Sequence, residues 1–514
     1  MTLMDTAVWD GLIGSGRTDG DGWTQGSAGT QDVVEPATGE SLGTVGLATG
    51  DDVRSAATIA AEAQKEWAAR KPEERAAVLR RAGQLFEERA EEIQEWIVRE
   101  AGSIPPKAGL ETHIAANECF DAAALPHHPT GDVLATNEDR WSLARRRPVG
   151  VVSVIAPFNF PLILSIRAVA PALALGNAVL LKPDPRTAVS GGVVLARVFE
   201  EAGLPIGLLH LLPGGADVGE AVVAAPEVAV VAFTGSTGAG RAIGETCGKL
   251  LKRAHLELGG NNALLVLPGA DGDAAVSAAA FGSFMHAGQI CMTTGRHLVH
   301  SSLYDEYVEK LAAKAAALPV GDPHTEQVAV GPLIDDKQAQ HCEDIITAAV
   351  EAGATVAAGG TRDGRFVRPT VLTDLDRGNR AWAEEIFGPV APVMRYDTID
   401  EAVALANDCE FGLSIGVLGD VGTAMDIADR LDSGKVHINE QTVSDESQAP
   451  FGGTKSSGNG SRVGGAAANI ESFTETQWVT LRSTIAGYPF CRPCTDGRQH
   501  AVMPVGVVPP RRSV

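Results

Sequence analysis

Gly150-Val-Val-Ser-Val-Ile155, Ala178-Val-Leu-Leu-Lys182, Leu208-Leu-His-Leu-Leu212 and Val228-Ala-Val-Val-Ala-Phe233 are short apolar runs, each followed by a segment of helical length. The intervening segments are Pro161–Leu175, Ala188–Ala202, Asp217–Ala224 and, after the last run, Gly238–Leu251. Short buried strands alternating with helices predict an α/β fold with a parallel, doubly wound sheet. Such a sheet lines up the carboxyl ends of its strands along one edge, where ligands bind.

Four groups fall at those ends: Phe158-Asn159, Lys182, Pro213-Gly214-Gly215 and Gly235-Ser236. Phe233-Thr-Gly-Ser-Thr-Gly-Ala-Gly-Arg241 is a glycine-rich turn entering a helix, a place where backbone N–H groups and the helix dipole can hold a pyrophosphate. Its glycines, 235, 238 and 240, do not fit G-x-G-x-x-G, so the usual dinucleotide fingerprint is absent. Lys182 reads either as a solvated strand end or as a contact to ribose or phosphate. Asn159 reads either as a turn asparagine or as one arm of an oxyanion hole. The Pro-Gly-Gly turn alone is an ordinary strand-to-helix connection.

Directly after this unit comes His255-Leu-Glu-Leu-Gly-Gly-Asn-Asn262, and the stretch closes with Gly288-Gln-Ile-Cys-Met292. Two short strands, Ala254–Leu258 and Asn262–Leu267, lead into an Ala-rich helix over 272–287, which leaves Cys291 on a turn with a backbone N–H beside it. A thiolate is a strong nucleophile toward a carbonyl. A carboxylate held near it, such as Glu257, can activate the water that releases an acyl-enzyme.

At 514 residues, about 150 per domain gives roughly three domains. With 65 acidic against 42 basic residues the formal charge is −23, which argues against nucleic acid as a partner, because phosphate affinity rests on Lys and Arg. Cysteines 119, 247, 291, 342, 409, 491 and 494 are scattered and odd in number, as suits a reducing compartment. The first residues carry no signal-peptide pattern, and the most apolar segment, Ala168–Leu181, is interrupted by Pro171, Gly176 and Asn177. A cytoplasmic protein without a membrane partner is expected.

Elsewhere, Val33–Gly46 reads as a hairpin, and Asp51–Gly102 as helices over Asp51–Arg70 and Pro72–Glu100, the second breaking partway. Asp132–Thr136 and Trp141–Arg147 read as a hairpin that puts three arginines in a row, and Glu471–Leu481 is a second β segment without a local partner. A sheet shared by the two, used for oligomerisation, is the expectation. Glu385 alone reads as a helix C-terminus, and Pro450-Phe-Gly-Gly453 as a flexible loop. Cys491-Arg-Pro-Cys494 is a poor metal predictor, and the Pro-rich end reads as a disordered extension.

Taken together, Pro157-Phe-Asn-Phe-Pro161, Lys182-Pro183, Phe233-Thr-Gly-Ser236, Leu256-Glu-Leu-Gly-Gly-Asn261, Gly288-Gln-Ile-Cys291, Glu385-Ile-Phe-Gly-Pro389 and Pro450-Phe-Gly-Gly453 resemble the aldehyde dehydrogenase superfamily, in order and spacing over nearly the whole chain. Leu211-Leu-Pro-Gly-Gly-Ala-Asp-Val-Gly-Glu220, Gly295-Arg-His-Leu-Val-His300 and Ala172-Leu-Ala-Leu-Gly-Asn-Ala178 look most like its bacterial benzaldehyde dehydrogenases.

The resemblance implies Cys291 as nucleophile, Glu257 as general base, and Asn159 with the Cys291 N–H as oxyanion donors. It implies that Glu385 and Phe387 hold the nicotinamide riboside and Lys182 the adenosine ribose. Gly235, Ser236, Thr237, Gly238, Ala239 and Gly240 would face the pyrophosphate, and no metal is implied. A dinucleotide-binding domain over 1–128 and 149–256, a catalytic domain over 257–469, an oligomerisation element over 129–148 and 470–490 and a tail over 491–514 follow, in a homodimer or homotetramer.

One departure concerns the cofactor. Where the family often has a Glu three positions after the lysine, this chain has Pro185 and then Arg186, a residue able to accept a 2′-phosphate. NAD is expected, with NADP open. Phe158, Phe160, Ile290 and Met292 around the thiol suit a flat aromatic aldehyde, although the same residues also read as plain core. Two other classes remain open, a cysteine hydrolase or acyltransferase and a non-catalytic binding protein.

Overall fold

The computed structural model describes residues 2–14 and 22–488, so the expectations for Cys491, Cys494 and the tail lie outside the described residues. A seven-stranded sheet runs in the order Arg253–Glu257, Val228–Thr234, Val151–Ile155, Ala178–Lys182, Leu209–Leu211, Leu12–Gly14, Trp23–Gln25. Its first five strands are parallel, and the N-terminal pair adds to one edge in antiparallel sense. Val151–Ile155 and Ala178–Lys182 are buried throughout, as continuous apolar strands of a helix-covered sheet must be.

The chain order reverses between Val151–Ile155 and Val228–Thr234. Successive connections run one way from the first strand and the other way from the second. The helices entered at Pro161 and Thr237 therefore leave the sheet on diverging paths, and a crevice opens beyond Ile155 and Thr234.

A second seven-stranded sheet follows the order Thr355–Ala358, Thr370–Thr373, Val390–Tyr396, Thr294–His300, Asn262–Val266, Ser414–Leu418, Lys435–Ile438, parallel except at its first pair. The two sheets have separate apolar cores. One includes Val152, Leu180, Val231 and Phe86, and the other Leu264, Val299, Leu372 and Val393.

The described residues form two compact units, 2–129 with 147–475, and 130–146 with 476–488. The second is built on a three-stranded sheet ordered Thr474–Leu481, Trp141–Pro148, Gly131–Val133. Within it Trp478 Nε1 donates to Ser142 Oγ at 2.8 Å and Arg145 Nε to Gln477 Oε1 at 2.8 Å. Trp141 and Trp478 stay exposed.

The long helix expected from Pro72 breaks at Arg89 into Pro72–Glu88 and Ala90–Ala101. The helix Pro105–Ala124 was not legible, because Lys107, Glu111 and Glu118 interrupt its apolar face and are nevertheless buried. Lys107 pairs with Glu111 and donates to the Asn159 carbonyl at 2.7 Å. Glu111 accepts from the backbone N–H groups of Leu162 at 3.1 Å and Ile163 at 3.4 Å, capping the helix Pro161–Ala174. No helix among the described residues is long and apolar enough to cross a membrane.

Candidate active site

The helix Gly272–Phe284 ends earlier than its Ala-rich pattern predicts. The chain then passes through three left-handed residues, His286 at φ 49°, Ala287 at φ 52° and Gly288 at φ 69°, before reaching Cys291. Gly288 is required there, since a Cβ would lie 2.1 Å from the Gly388 carbonyl oxygen. Asn262 pins the far side of the turn: its Nδ2 donates to the carbonyls of Cys291 and Thr293, each at 2.8 Å, while its Oδ1 accepts from Ser414 N at 3.0 Å. A side chain at Gly260 would come within 2.5 Å of the Cys291 carbonyl oxygen, so the Gly-Gly-Asn-Asn run is what lets the turn seat this closely.

Cys291 stands between two cavities. One, of about 220 Å³, is lined by Phe160, Ile163, Met285, Ile290, Met292 and Phe451, with Gln441 and Asp445 as polar members. The other, of about 270 Å³, is lined by Phe158, Gly235, Ser236, Gly259, Glu385 and Phe387, and occupies the crevice beyond Ile155 and Thr234. Asn159, Leu164 and Cys291 belong to both walls. The structure thus brings Cys291, Asn159, Gly235, Ser236, Glu385 and Phe387 together. Phe158 faces the second cavity, not the apolar one, because the guanidinium of Arg186 sits 4.3 Å from its ring and the Phe387 ring meets it edge-on at 5.8 Å.

The remaining expected residues lie further off. Glu257 lines a third chamber of about 30 Å³, which shares Leu164 with both cavities and Phe451 with the apolar one. Lys182 is buried at its strand end, close to Asp184, Arg186 and Asp217. Thr237, Gly238, Ala239 and Gly240 form the first turn of the helix Thr237–Leu250, capped by Ser236 accepting from Ala239 N at 3.4 Å. Gly240 has a packing reason, since a Cβ would lie 2.2 Å from Leu258 Cδ2. Arg186 is held by Asp184 at 2.9 and 2.8 Å and by Asp335 at 2.6 Å.

Burial governs the titrations. It raises Glu257 to about 8, against the pull of Arg462 and the Gly453 N–H. Burial raises Glu385 to about 7, opposed by the Gly260 N–H, which donates to it at 2.9 Å. Burial likewise pushes the Cys291 thiol up to about 12, with Lys435 the opposing charge. A Cβ at Gly259 would lie 2.1 Å from Glu385 Oε2, so the carboxylate occupies a seat that only glycine leaves free.

Sequence reasoning missed the buried charges around this site. Arg167 Nε donates to Glu118 at 2.9 Å and its Nη1 to Asp445 at 2.7 Å, on the wall of the apolar cavity. Lys435 lies 4.0 Å from the Phe451 ring. Only Lys107 and Glu111 left a sequence signal, their four-residue spacing on one helix.

The sequence model described as "Aldehyde dehydrogenase family" matches residues 23–479. The chain is 60% identical over 491 residues to a vanillin dehydrogenase of Amycolatopsis sp., covering 95% of this chain and 100% of that protein. It is 49% identical to an NAD-dependent benzaldehyde dehydrogenase of Pseudomonas putida, over 94% of this chain and 98% of that one. The crystal structure of a salicylaldehyde dehydrogenase from Pseudomonas putida G7, complexed with salicylaldehyde, superposes with a TM-score of 0.88 at 35% identity, covering 93% and 99% of the two chains.

Gly260→Ala is expected to displace the turn beneath Cys291. Alkylation of that thiol, followed by peptide mass spectrometry, should change in rate by about tenfold or more, since misplacements of about 1 Å have effects of that order. An unaltered rate removes the close approach at Gly260 as a constraint.

Proposed function

On the premise that the chain belongs to the aldehyde dehydrogenase family, we propose that the junction at Cys291 is where an aromatic aldehyde is oxidised to its carboxylic acid, with NAD as the favoured cofactor. The observation that carries this reading is the pair of cavities meeting at one thiol and one amide, apolar on one side and carrying Glu385 and Phe387 on the other.

In this reading the aldehyde lies among Phe160, Ile290, Met292 and Phe451, the Cys291 thiol gives up its proton to solvent, and the resulting thiolate forms a bond to the carbonyl carbon, whose C=O electron pair moves onto oxygen. The oxyanion of the thiohemiacetal accepts from the Asn159 amide and the Cys291 N–H. Asn159 lines both cavities beside Cys291, and its amide NH₂ is the donor this reading assigns to the oxyanion. Glu385 and Phe387 would hold a nicotinamide, which would supply the acceptor for the hydride leaving the thiohemiacetal carbon, and the carbonyl re-forms as a thioester on Cys291. Glu257 then activates water for release of the acid. Its carboxyl lines the adjoining chamber, so this step needs a bridging water or a turn of the side chain.

The crevice suits a dinucleotide: Gly235 and Gly259 line it, and Lys182 stands at the end of the central strand of the sheet for the ribose. NAD is favoured over NADP because Arg186 is already engaged by Asp184 and Asp335, and a 2′-phosphate would have to displace a carboxylate. The first sheet and its helices, 1–128 with 149–256, serve as the dinucleotide-binding domain, and 257–469 as the catalytic domain. The three-stranded sheet, with Trp141 and Trp478 exposed, serves a homodimer or homotetramer in the cytoplasm.

Asn159→Ala should lower kcat on the order of 10²-fold, the effect of losing about 3 kcal/mol from one oxyanion donor. Full turnover in this variant excludes the amide from the reaction. Glu257 needs its carboxylate form, which grows as pH rises through about 8 and declines below it. The kcat profile should therefore show an inflection in that range, and Glu257→Gln should remove that inflection. A spectrophotometric screen completes the test: kcat/KM should be higher for benzaldehyde-type substrates than for acetaldehyde and higher with NAD than with NADP. Equal values for acetaldehyde, or a preference for NADP, contradict the respective assignment.

A further inference from the structure

Lys435 opens the last strand of the second sheet, Lys435–Ile438, and its ammonium points inward. It lies 2.6 Å from the Met292 sulfur, 3.4 Å from the Ser444 carbonyl oxygen and 4.0 Å from the centre of the Phe451 ring. A thioether is a weak acceptor, and none of these three contacts supplies a counter-charge. Asp445, the nearest acid on that side, is bound to Arg167 at 2.7 Å. An apolar side chain would pack against Met292 and Phe451 without the cost of desolvating an ammonium. Lys435 is half-buried, and burial lowers its pKa from the usual lysine value, with Asp445 and Cys291 opposing.

Met292 is the neighbour of Cys291, and Met292, Ser444 and Phe451 line the same apolar cavity as the thiol. Glu385 on the second cavity, Asp445 in the loop before Phe451, Glu257 on the edge strand of the first sheet, and Lys435 are charged groups near enough to act on the sulfur. Three are acids that disfavour a thiolate, and Lys435 is the one among them that favours it. Around Lys435 itself stand Asp445, Cys291, Arg167 and Glu257. Burial alone would keep the Cys291 thiol protonated, so a nucleophile at neutral pH needs a compensating positive field.

We propose that Lys435 is a positioning residue for the nucleophile, its ammonium lying behind Met292 and Phe451 so as to stabilise the Cys291 thiolate. The assignment rests on Cys291 being the attacking group. Lys435 touches neither substrate nor cofactor and acts through the sulfur.

The test is the pH dependence of iodoacetamide alkylation at Cys291, quantified by peptide mass spectrometry in the full-length enzyme, its K435M variant and its K435R variant. K435M is expected to slow alkylation about tenfold at every pH from 7 to 9, equivalent to an upward shift of the midpoint by about one pH unit, with the melting temperature unchanged. K435R should keep the parent rate. A packing role would slow K435R as well, or lower the melting temperature. That result, or equal rates in parent and K435M, overturns the inference. If K435M does not fold, K435Q carries the same expectation. Should alkylation of Cys291 in the parent leave aldehyde oxidation intact, the nucleophile assignment fails. Inactivation with equal rates in parent and K435M removes Lys435 alone.

Discussion

The amide of Asn262 holds together the parts on which the site depends. One side chain ties the start of a strand, the carbonyls of Cys291 and Thr293, and the N–H of Ser414 on the neighbouring strand. Hydrogen bonds of this kind, fully buried and fully satisfied, fix geometry because every alternative leaves a polar atom without a partner. The thiol is thus referenced to the second sheet. Asn159 and the crevice are referenced to the first, through Ile155 and the capped helix Pro161–Ala174. Two cores built from different stretches of chain meet at one sulfur.

The sheets were legible in the sequence because runs such as Val151–Ile155 and Val228–Thr234 are apolar and bounded by Gly and Pro. Motif resemblance singled out Cys291, Glu257, Asn159, Glu385 and Phe387, of which the structure gathers all but Glu257 around the two cavities at the thiol. Composition alone left Asn159 an ordinary turn residue and Glu385 a helix end. What stayed hidden was the pairing of charges across long separations. Arg167 and Asp445 lie 278 positions apart, and each alone looks like a solvated residue. Lys435 begins a strand as many exposed lysines do, and only the fold turns it inward. Phe158 was assigned to the wrong cavity because its direction is set by Arg186, whose own position depends on Asp335 far along the chain.

Electrostatics here work against the local chemistry before they work for it. Burial raises both Glu257 and Cys291, so each rests in its neutral form, and in the proposed reaction each must be charged. A site of this kind spares an enclosed pocket from standing unpaired charges. Arg462 opposes the rise at the acid, and Lys435 opposes it at the thiol.

The left-handed pair His286–Ala287 has a consequence for how this enzyme tolerates heat. Two side chains are held where L-residues are disfavoured by roughly 1–2 kcal/mol each, so the loop stores free energy that a glycine at either position would release. Selection for thermal endurance alone would favour relaxing that loop. The same backbone leads through Gly288 to the sulfur, so a substitution that relaxed the loop would also free the position of Cys291.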